Sequence, residues 1–127
     1  MERATEIFAA VQLLVIGLSH LAQPRAWVDF FGWLRGKGHA GVFANGFLSL
    51  WFGSFIVAFH NVWEGLPTVV TVLGWAQVLK GTVSFVLPQV AMRGLARVSP
   101  ERDWEFRVAG VVALALSAVC WYSAFTR

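Results

Sequence analysis

Four long apolar stretches without a charged residue constrain this chain more than any other feature. They are residues 7–24, 40–60, 65–79 and 108–126, and the third continues beyond Lys80 to Gln89. Each approaches the roughly 20 residues that a helix needs to cross a hydrocarbon core of about 30 Å. Because the stretches are continuous rather than alternating, they favour helices over a β-barrel. The first stretch has a poor cleavage site for a signal peptide, so we expect it to be retained.

The composition places this chain in a membrane. Apolar residues make up 57% of it and charged residues 13%, against roughly 25% charged residues in a soluble domain. We therefore predict an all-α fold, an integral membrane four-helix bundle in one domain, residues 1–127. The spanning helices are predicted at about residues 5–23, 40–61, 67–87 and 100–126, with short amphipathic interfacial helices after the first and third.

The two halves of the chain match when it is shifted by 64 residues. The helix end GLSHLAQP at Gly17–Pro24 corresponds to GTVSFVLP at Gly81–Pro88, and a basic amphipathic segment follows each proline. This predicts two helical hairpins in a parallel repeat. Small residues on the second and fourth spans predict that these two helices pack centrally or form a subunit interface.

The positive charges are distributed unequally between the two sides of the predicted bundle. Arg3 and Arg127 fall on the side of the termini, whereas the loops after the first and third helices hold seven basic residues: Arg25, Arg35, Lys37, Arg93, Arg97, Arg102 and Arg107. The positive-inside rule then predicts that both termini lie on the external or periplasmic side and that these two loops are cytoplasmic. We expect the basic loops to contact anionic lipid headgroups.

The first candidate site is polar and lies toward the cytoplasmic side. Lys80 is inside an apolar helix, where an unpaired charge is costly. Two interpretations are open: the side chain snorkels to the interface, or it binds an anion or handles a proton inside the bundle. Glu6 lies at the mouth of the first helix, so no intramembrane carboxylate is expected to pair with Lys80. The candidates at its depth are His20, Asn45, Gln77 and Ser84.

The second candidate site is the short loop on the opposite side. Its residues are His60, Asn61, Trp63, Glu64 and, on the following helix, Thr71. They are explained either by a capped hairpin or by a polar mouth in which His60 and Glu64 bind a cation or relay a proton. One histidine and one carboxylate fall short of the three or four ligands of a usual metal site, so neither a metal nor another cofactor is predicted.

One stretch carries a family resemblance. H-N-x-W at His60, Asn61 and Trp63, together with V-T-x-x-G-W-x-x-x-x-K-G from Val70 to Gly81, resembles a group of small uncharacterised bacterial inner-membrane proteins with four spans. The group has no assigned activity. The resemblance therefore implies the four-helix fold and adds no mechanism.

Three functions remain open from the sequence. The leading hypothesis is a non-enzymatic membrane protein that acts as a homo-oligomer or as an accessory subunit of a larger membrane partner, because motifs of common enzymes are missing. The second is a channel or transporter for an ion or proton, with His60 and Glu64 at the outer mouth and Lys80 and His20 inside. The third is a cofactor-binding electron-transfer subunit. Nucleic-acid binding is not expected.

Overall fold

The computed structural model of this protein describes residues 2–126, which fold into helices without a β-strand. The fold class is therefore confirmed. The helices are α1 (Glu2–Ala22), α2 (Pro24–Gly36), α3 (His39–Phe59), α4 (Thr68–Val86), α5 (Pro88–Ala96) and α6 (Trp104–Thr126). A single 3₁₀ turn, Pro100–Arg102, precedes α6. Four of these helices, α1, α3, α4 and α6, are long and apolar enough to cross a membrane.

Two prolines set the boundaries between spanning and short helices. Pro24 is the first residue of α2, and only Gln23 separates it from the end of α1. Pro88 is the first residue of α5, and only Leu87 separates it from the end of α4. Proline has no N–H to donate to the preceding turn, but its fixed φ suits the first position of a new helix. Each spanning helix therefore stops and a short helix starts in a new direction. The predicted interfacial helices are present as α2 and α5.

The four spanning helices associate as two antiparallel pairs, α1 with α6 and α3 with α4. Contacts between the pairs are few along α1–α3 and α4–α6, and α3 and α6 make little or no direct contact in the described part of the chain. The expectation that the second and fourth spans pack centrally is therefore wrong, and their role in a subunit interface stays a prediction. Each half of the repeat supplies one helix to each close pair.

The two pairs repeat the same close contacts 64 residues apart. In the α1–α6 pair, a Cβ built on Gly110 would lie 2.8 Å from the carbonyl oxygen of Gly17. In the α3–α4 pair, a Cβ built on Gly81 would lie 2.9 Å from the carbonyl oxygen of Gly46. Gly17 and Gly81 are 64 residues apart, as are Gly46 and Gly110. The internal repeat therefore extends from the sequence pattern to the packing.

A second set of equivalent positions supports the same symmetry. Ser117 Oγ donates a hydrogen bond of 2.7 Å to the Ala10 carbonyl in the α1–α6 pair. At the equivalent place in the α3–α4 pair, a Cβ on Gly53 would lie 2.7 Å from the Gly74 carbonyl oxygen. Small side chains let the two backbones approach closely at both places, as in other membrane helix pairs.

The bundle has two chemically different ends. The termini end contains the start of α1, the end of α6 and the α3–α4 connection at residues 60–67. The basic end contains α2, α5 and residues 97–103, tied together in part by an ion pair of 3.3 Å between Arg25 and Asp103. Each end has its own apolar core. The core of the termini end consists of Ala9, Ala10, Ile56, Val70 and Cys120, and that of the basic end consists of Leu34, Val42 and Leu95.

The fourth span begins close to its predicted start at about residue 100. The chain first forms the 3₁₀ turn Pro100–Arg102, without a side-chain capping bond from Ser99, and the α-helix follows at Trp104. The turn and α6 together form one apolar stretch long enough to cross a membrane. Arg127, which entered the charge count, lies outside the described residues, as does Met1.

Candidate functional site

Four buried polar side chains meet at the termini end, one from each spanning element. Glu6 comes from α1, His60 from the residue after α3, Thr71 from α4 and Ser123 from α6. All four are at most 2% exposed, in a protein whose interior consists mainly of apolar and small residues. Buried polar groups persist in such an interior only when they are hydrogen-bonded. We call these four residues the polar cluster.

The hydrogen bonds of the polar cluster form one connected chain. His60 Nε2 lies 3.0 Å from Glu6 Oε2, and His60 Nδ1 lies 2.8 Å from Thr71 Oγ1. Ser123 Oγ donates to Glu6 Oε1. Thr71 Oγ1 donates to the Val62 carbonyl at 2.8 Å and accepts from the Val62 N–H at 3.1 Å. The side-chain polar atoms buried within residues 2–126 all have partners.

Local backbone geometry turns His60 into the bundle. The residue ends α3 in an extended conformation, with φ −147° and ψ 101°. Asn61 then donates its side-chain amide back to the Val57 carbonyl, so it closes the last turn of α3. Asn61 Oδ1 also accepts a hydrogen bond of 3.2 Å from the Trp75 indole. The H-N-x-W segment is therefore held to α3 on one side and to α4 on the other.

His60 bonds to Thr71, one of its predicted neighbours, but its carboxylate partner is Glu6 rather than Glu64. Glu64 is exposed, and both ring nitrogens of His60 are bonded elsewhere, to Thr71 and Glu6. Trp63 is also exposed, at 59%. Of the five residues proposed for this site, His60 and Thr71 are buried together, whereas Trp63 and Glu64 point away from them. The carboxylate partner is Glu6, which was expected at the helix mouth and is completely buried instead.

Glu6 and Ser123 were missed because they lie in opposite ends of the sequence. A signal was nevertheless present: Glu6 shares a helix face with the small residues Ala9, Ala10 and Gly17, the face that α1 buries. Small residues at such spacing mark the side of a membrane helix that touches another helix. The position of Glu6 on this small-residue face predicts that its side chain is buried, but it does not predict which residue it bonds to.

The inner candidates separate into two groups. Lys80, Asn45 and Ser84 line a groove of about 530 Å³ at the basic end, whose other walls are mainly apolar side chains of α4 and α5. Lys80 is exposed, and the Ser84 hydroxyl donates to its carbonyl at 3.0 Å. Gln77 is half-buried beside Gly53 in the α3–α4 contact, and it is not among the groove residues.

His20 lies away from the Lys80 groove. Its Nδ1 lies 2.7 Å from the Ile16 carbonyl oxygen in its own helix, and its ring stacks on Trp27 at a centroid distance of 4.2 Å. The Phe106 ring, which also lines the groove, lies 5.6 Å from the His20 ring. The structure therefore brings together three of the five inner candidates and places His20 in an aromatic contact between α1, α2 and α6.

A third feature lies halfway along the bundle, where a cleft of about 430 Å³ separates α1 from α3. Its lining residues are Phe8, Gln12, Leu48, Trp51, Phe52 and Phe55. Gln12 is the central residue of α1 and is exposed, and Trp51 is 61% exposed. Among residues 2–126, neither the side-chain amide of Gln12 nor the indole N–H of Trp51 has a hydrogen-bond partner. A bare amide at the middle of a membrane span is unfavourable next to lipid.

Comparison with protein-family models, with curated proteins and with solved structures gives no match.

Proposed function

We propose that this protein is a non-enzymatic, multi-pass protein of a bacterial inner membrane that acts as a homo-oligomer assembled through the cleft between α1 and α3. The observation that carries the proposal is the Gln12 amide, exposed at mid-membrane depth beside the exposed indole of Trp51. Hydrogen bonds between helices are one of the main forces that associate membrane helices.

A second copy of this chain is the occupant that the chemistry of the cleft favours. The glutamine amide both donates and accepts hydrogen bonds, so two Gln12 side chains across a twofold axis satisfy each other. The surrounding Phe8, Phe52 and Phe55 rings already pack together, with centroid distances of 5.6 and 4.5 Å from Phe8 to the other two. They provide a preformed apolar surface around the polar contact.

The basic end supports a proposal about orientation and lipid partners. Its arginine and lysine side chains favour the cytoplasmic side, with both termini periplasmic. Part of this charge is already paired within the protein: Arg25 with Asp103, and Arg97 with Glu105 at 3.5 Å. Lys80, Lys37 and Arg93 are exposed and available to phosphate groups of anionic lipids.

The geometry favours association over conduction or electron transfer. The interior between the polar cluster and the Lys80 groove is filled by the apolar core of Ala9, Ala10, Ile56, Val70 and Cys120. A conducting path would have to cross this core. Both nitrogens of His60 are engaged in hydrogen bonds, and His20 is stacked on Trp27 near the opposite end, so the two rings are not arranged to hold one haem.

Replacing Gln12 with leucine tests the proposed association. The Gln12→Leu variant keeps a similar volume but removes the shared hydrogen bonds, so we expect oligomerisation in liposomes to weaken roughly three- to thirtyfold, equivalent to about 0.6–2 kcal/mol. Single-molecule photobleaching at low protein density measures the oligomer population. Gln77→Leu is the matched control, because this second mid-helix amide lies in the α3–α4 contact within one subunit.

The result can separate the alternatives. Unchanged oligomerisation of Gln12→Leu would contradict the proposed interface. A wild-type protein that is monomeric in liposomes but co-purifies with a larger membrane protein, in a manner lost on Gln12→Leu, would assign the cleft to an accessory-subunit role instead.

A further inference from the structure

The hydroxyl of Thr71 determines where the protons of the polar cluster lie. This hydroxyl has a single hydrogen and three polar neighbours within 3.1 Å: the Val62 carbonyl, the Val62 N–H and His60 Nδ1. The carbonyl can only accept, so the hydroxyl hydrogen belongs to that bond. The Val62 N–H and His60 Nδ1 must then both donate to Thr71 Oγ1. His60 therefore has its hydrogen on Nδ1.

The opposite ring nitrogen consequently requires a second proton. His60 Nε2 lies 3.0 Å from Glu6 Oε2, and a hydrogen bond at this distance needs one hydrogen between the two atoms. It is supplied either by an imidazolium facing a carboxylate or by a neutral imidazole facing a carboxylic acid. Both descriptions contain one proton more than a neutral histidine beside an ionised glutamate.

The alternative tautomer leaves the cluster unsatisfied. With the hydrogen of a neutral His60 on Nε2, no extra proton is needed, but Thr71 must then donate to Nδ1. The Thr71 and Val62 oxygens would face each other at 2.8 Å without a hydrogen between them. Two oxygens at this distance without a hydrogen between them repel each other, and both lose a hydrogen bond. The first arrangement satisfies every bond of the cluster.

We propose that Glu6 and His60 form a binding site for one proton, and that this proton fastens the α1–α6 pair to the α3–α4 pair at the termini end. The Glu6–His60 hydrogen bond crosses between the two pairs, whose other contacts through α1–α3 and α4–α6 are few. Loss of the proton would leave a carboxylate oxygen facing the Nε2 lone pair with no hydrogen between them. That state favours separation of the two pairs.

The surroundings of the site limit where the proton comes from. From α6, the Ser123 hydroxyl and the Cys120 thiol face Glu6; from α4, Thr71 faces His60; and α1 contributes buried Thr5. The charged groups nearby in sequence, Glu2, Arg3 and Glu64, are exposed. The apolar core closes the side toward the basic end. The site therefore exchanges protons with the termini end alone and does not pass them across the bundle.

The variant Glu6→Gln isolates this proton. The glutamine amide N–H can donate to His60 Nε2, and its carbonyl can accept from Ser123, so the bonds persist without a bound proton. We expect ¹⁵N NMR of Glu6→Gln to show a neutral His60 that is protonated at Nδ1 alone, whereas the exposed-carboxylate control Glu64→Gln keeps the wild-type His60 spectrum. A His60 that is protonated at Nε2 instead of Nδ1 in Glu6→Gln would overturn the proposal.

Spectroscopy of the wild-type protein tests the same point without a substitution. Nitrogen NMR of ¹⁵N-histidine-labelled protein in a membrane mimetic should show His60 protonated at Nδ1 at mildly alkaline pH, with His20 and His39 as references. Either Nε2 should also be protonated, or the infrared spectrum should show a protonated Glu6 that is missing in Glu6→Gln. A neutral His60 protonated only at Nε2, or an ionised Glu6 beside a neutral His60, would overturn the proposal.

Discussion

At the residue scale, the polar cluster explains the histidine and the asparagine of the H-N-x-W segment. His60 is positioned by the end of α3, Asn61 closes that helix, and Thr71 accepts the histidine N–H one turn into α4. Each of these contacts is short-range in sequence. The contact that completes the cluster, from His60 to Glu6, spans 54 residues and exists because α1 packs at that place.

The Thr71 hydroxyl connects His60 to the Val62 backbone, and replacing it tests how much the polar cluster contributes to stability. Thr71→Val keeps the shape of the side chain but leaves the His60 Nδ1–H and the Val62 polar groups without their partner. We expect a loss of stability of about 1–3 kcal/mol, measured by equilibrium unfolding in mixed micelles. The control is Thr82→Val, whose exposed hydroxyl bonds only to the Val78 carbonyl of its own helix. Equal losses in the two variants would contradict a special role for Thr71.

At the scale of helices, small residues decide which spans pair. Gly17 and Gly110 let α1 approach α6, and Gly46 and Gly81 let α3 approach α4, in contacts that repeat 64 residues apart. The sequence repeat alone did not predict this arrangement, because two parallel repeats can pair within each half or between halves. Which helix pairs with which depends on which glycine-containing helix faces come into contact in the folded bundle.

A methyl group added to one of these contacts should separate a helix pair. In Gly81→Ala the new Cβ would meet Leu50 Cβ at 2.6 Å and the Gly46 carbonyl oxygen at 2.9 Å, so the backbone must move. We expect a destabilisation of about 1–3 kcal/mol, measured by the same unfolding assay. Gly32→Ala is the control, because no atom lies within 4 Å of its new Cβ. That variant should gain up to about 1 kcal/mol from better helix propensity.

At the scale of the whole molecule, the surface has the character of a protein immersed in lipid. Large apolar side chains such as Val15, Leu79 and Val86 are 58%, 65% and 69% exposed. Their exposure would be unfavourable in water but matches a hydrocarbon solvent, in which apolar contact carries no penalty. The basic end and the termini end then lie at the two membrane surfaces.

The orientation of the molecule gives a labelling prediction. Trp63 is exposed at the termini end and Lys37 at the basic end. A membrane-impermeant maleimide added to intact cells should label Trp63→Cys, whereas Lys37→Cys should react only after permeabilisation, because the proposed orientation places the basic end in the cytoplasm. The native Cys120 is completely buried and serves as the unlabelled background. The reverse labelling pattern would contradict the proposed topology.

Much of the architecture was predictable from local sequence. The four apolar stretches, the two prolines that end α1 and α4 and the amphipathic pattern of α2 and α5 all specify structure within a few residues of chain. A helix in lipid satisfies its backbone hydrogen bonds internally, so the length of an apolar stretch is sufficient to predict a span. The helical class, the spans and the short helices therefore followed from the sequence by itself.

Only the tertiary structure decided which side chains meet. Glu6, His60 and Ser123 are far apart along the chain, and their hydrogen bonds depend on how two helix pairs pack side by side. The burial of Glu6 likewise depends on the small residues of α1 facing α6, and a charged residue near a helix end is ordinarily exposed. Backbone bonds within a helix are local, whereas the partner of a buried polar side chain is set by packing across the whole bundle.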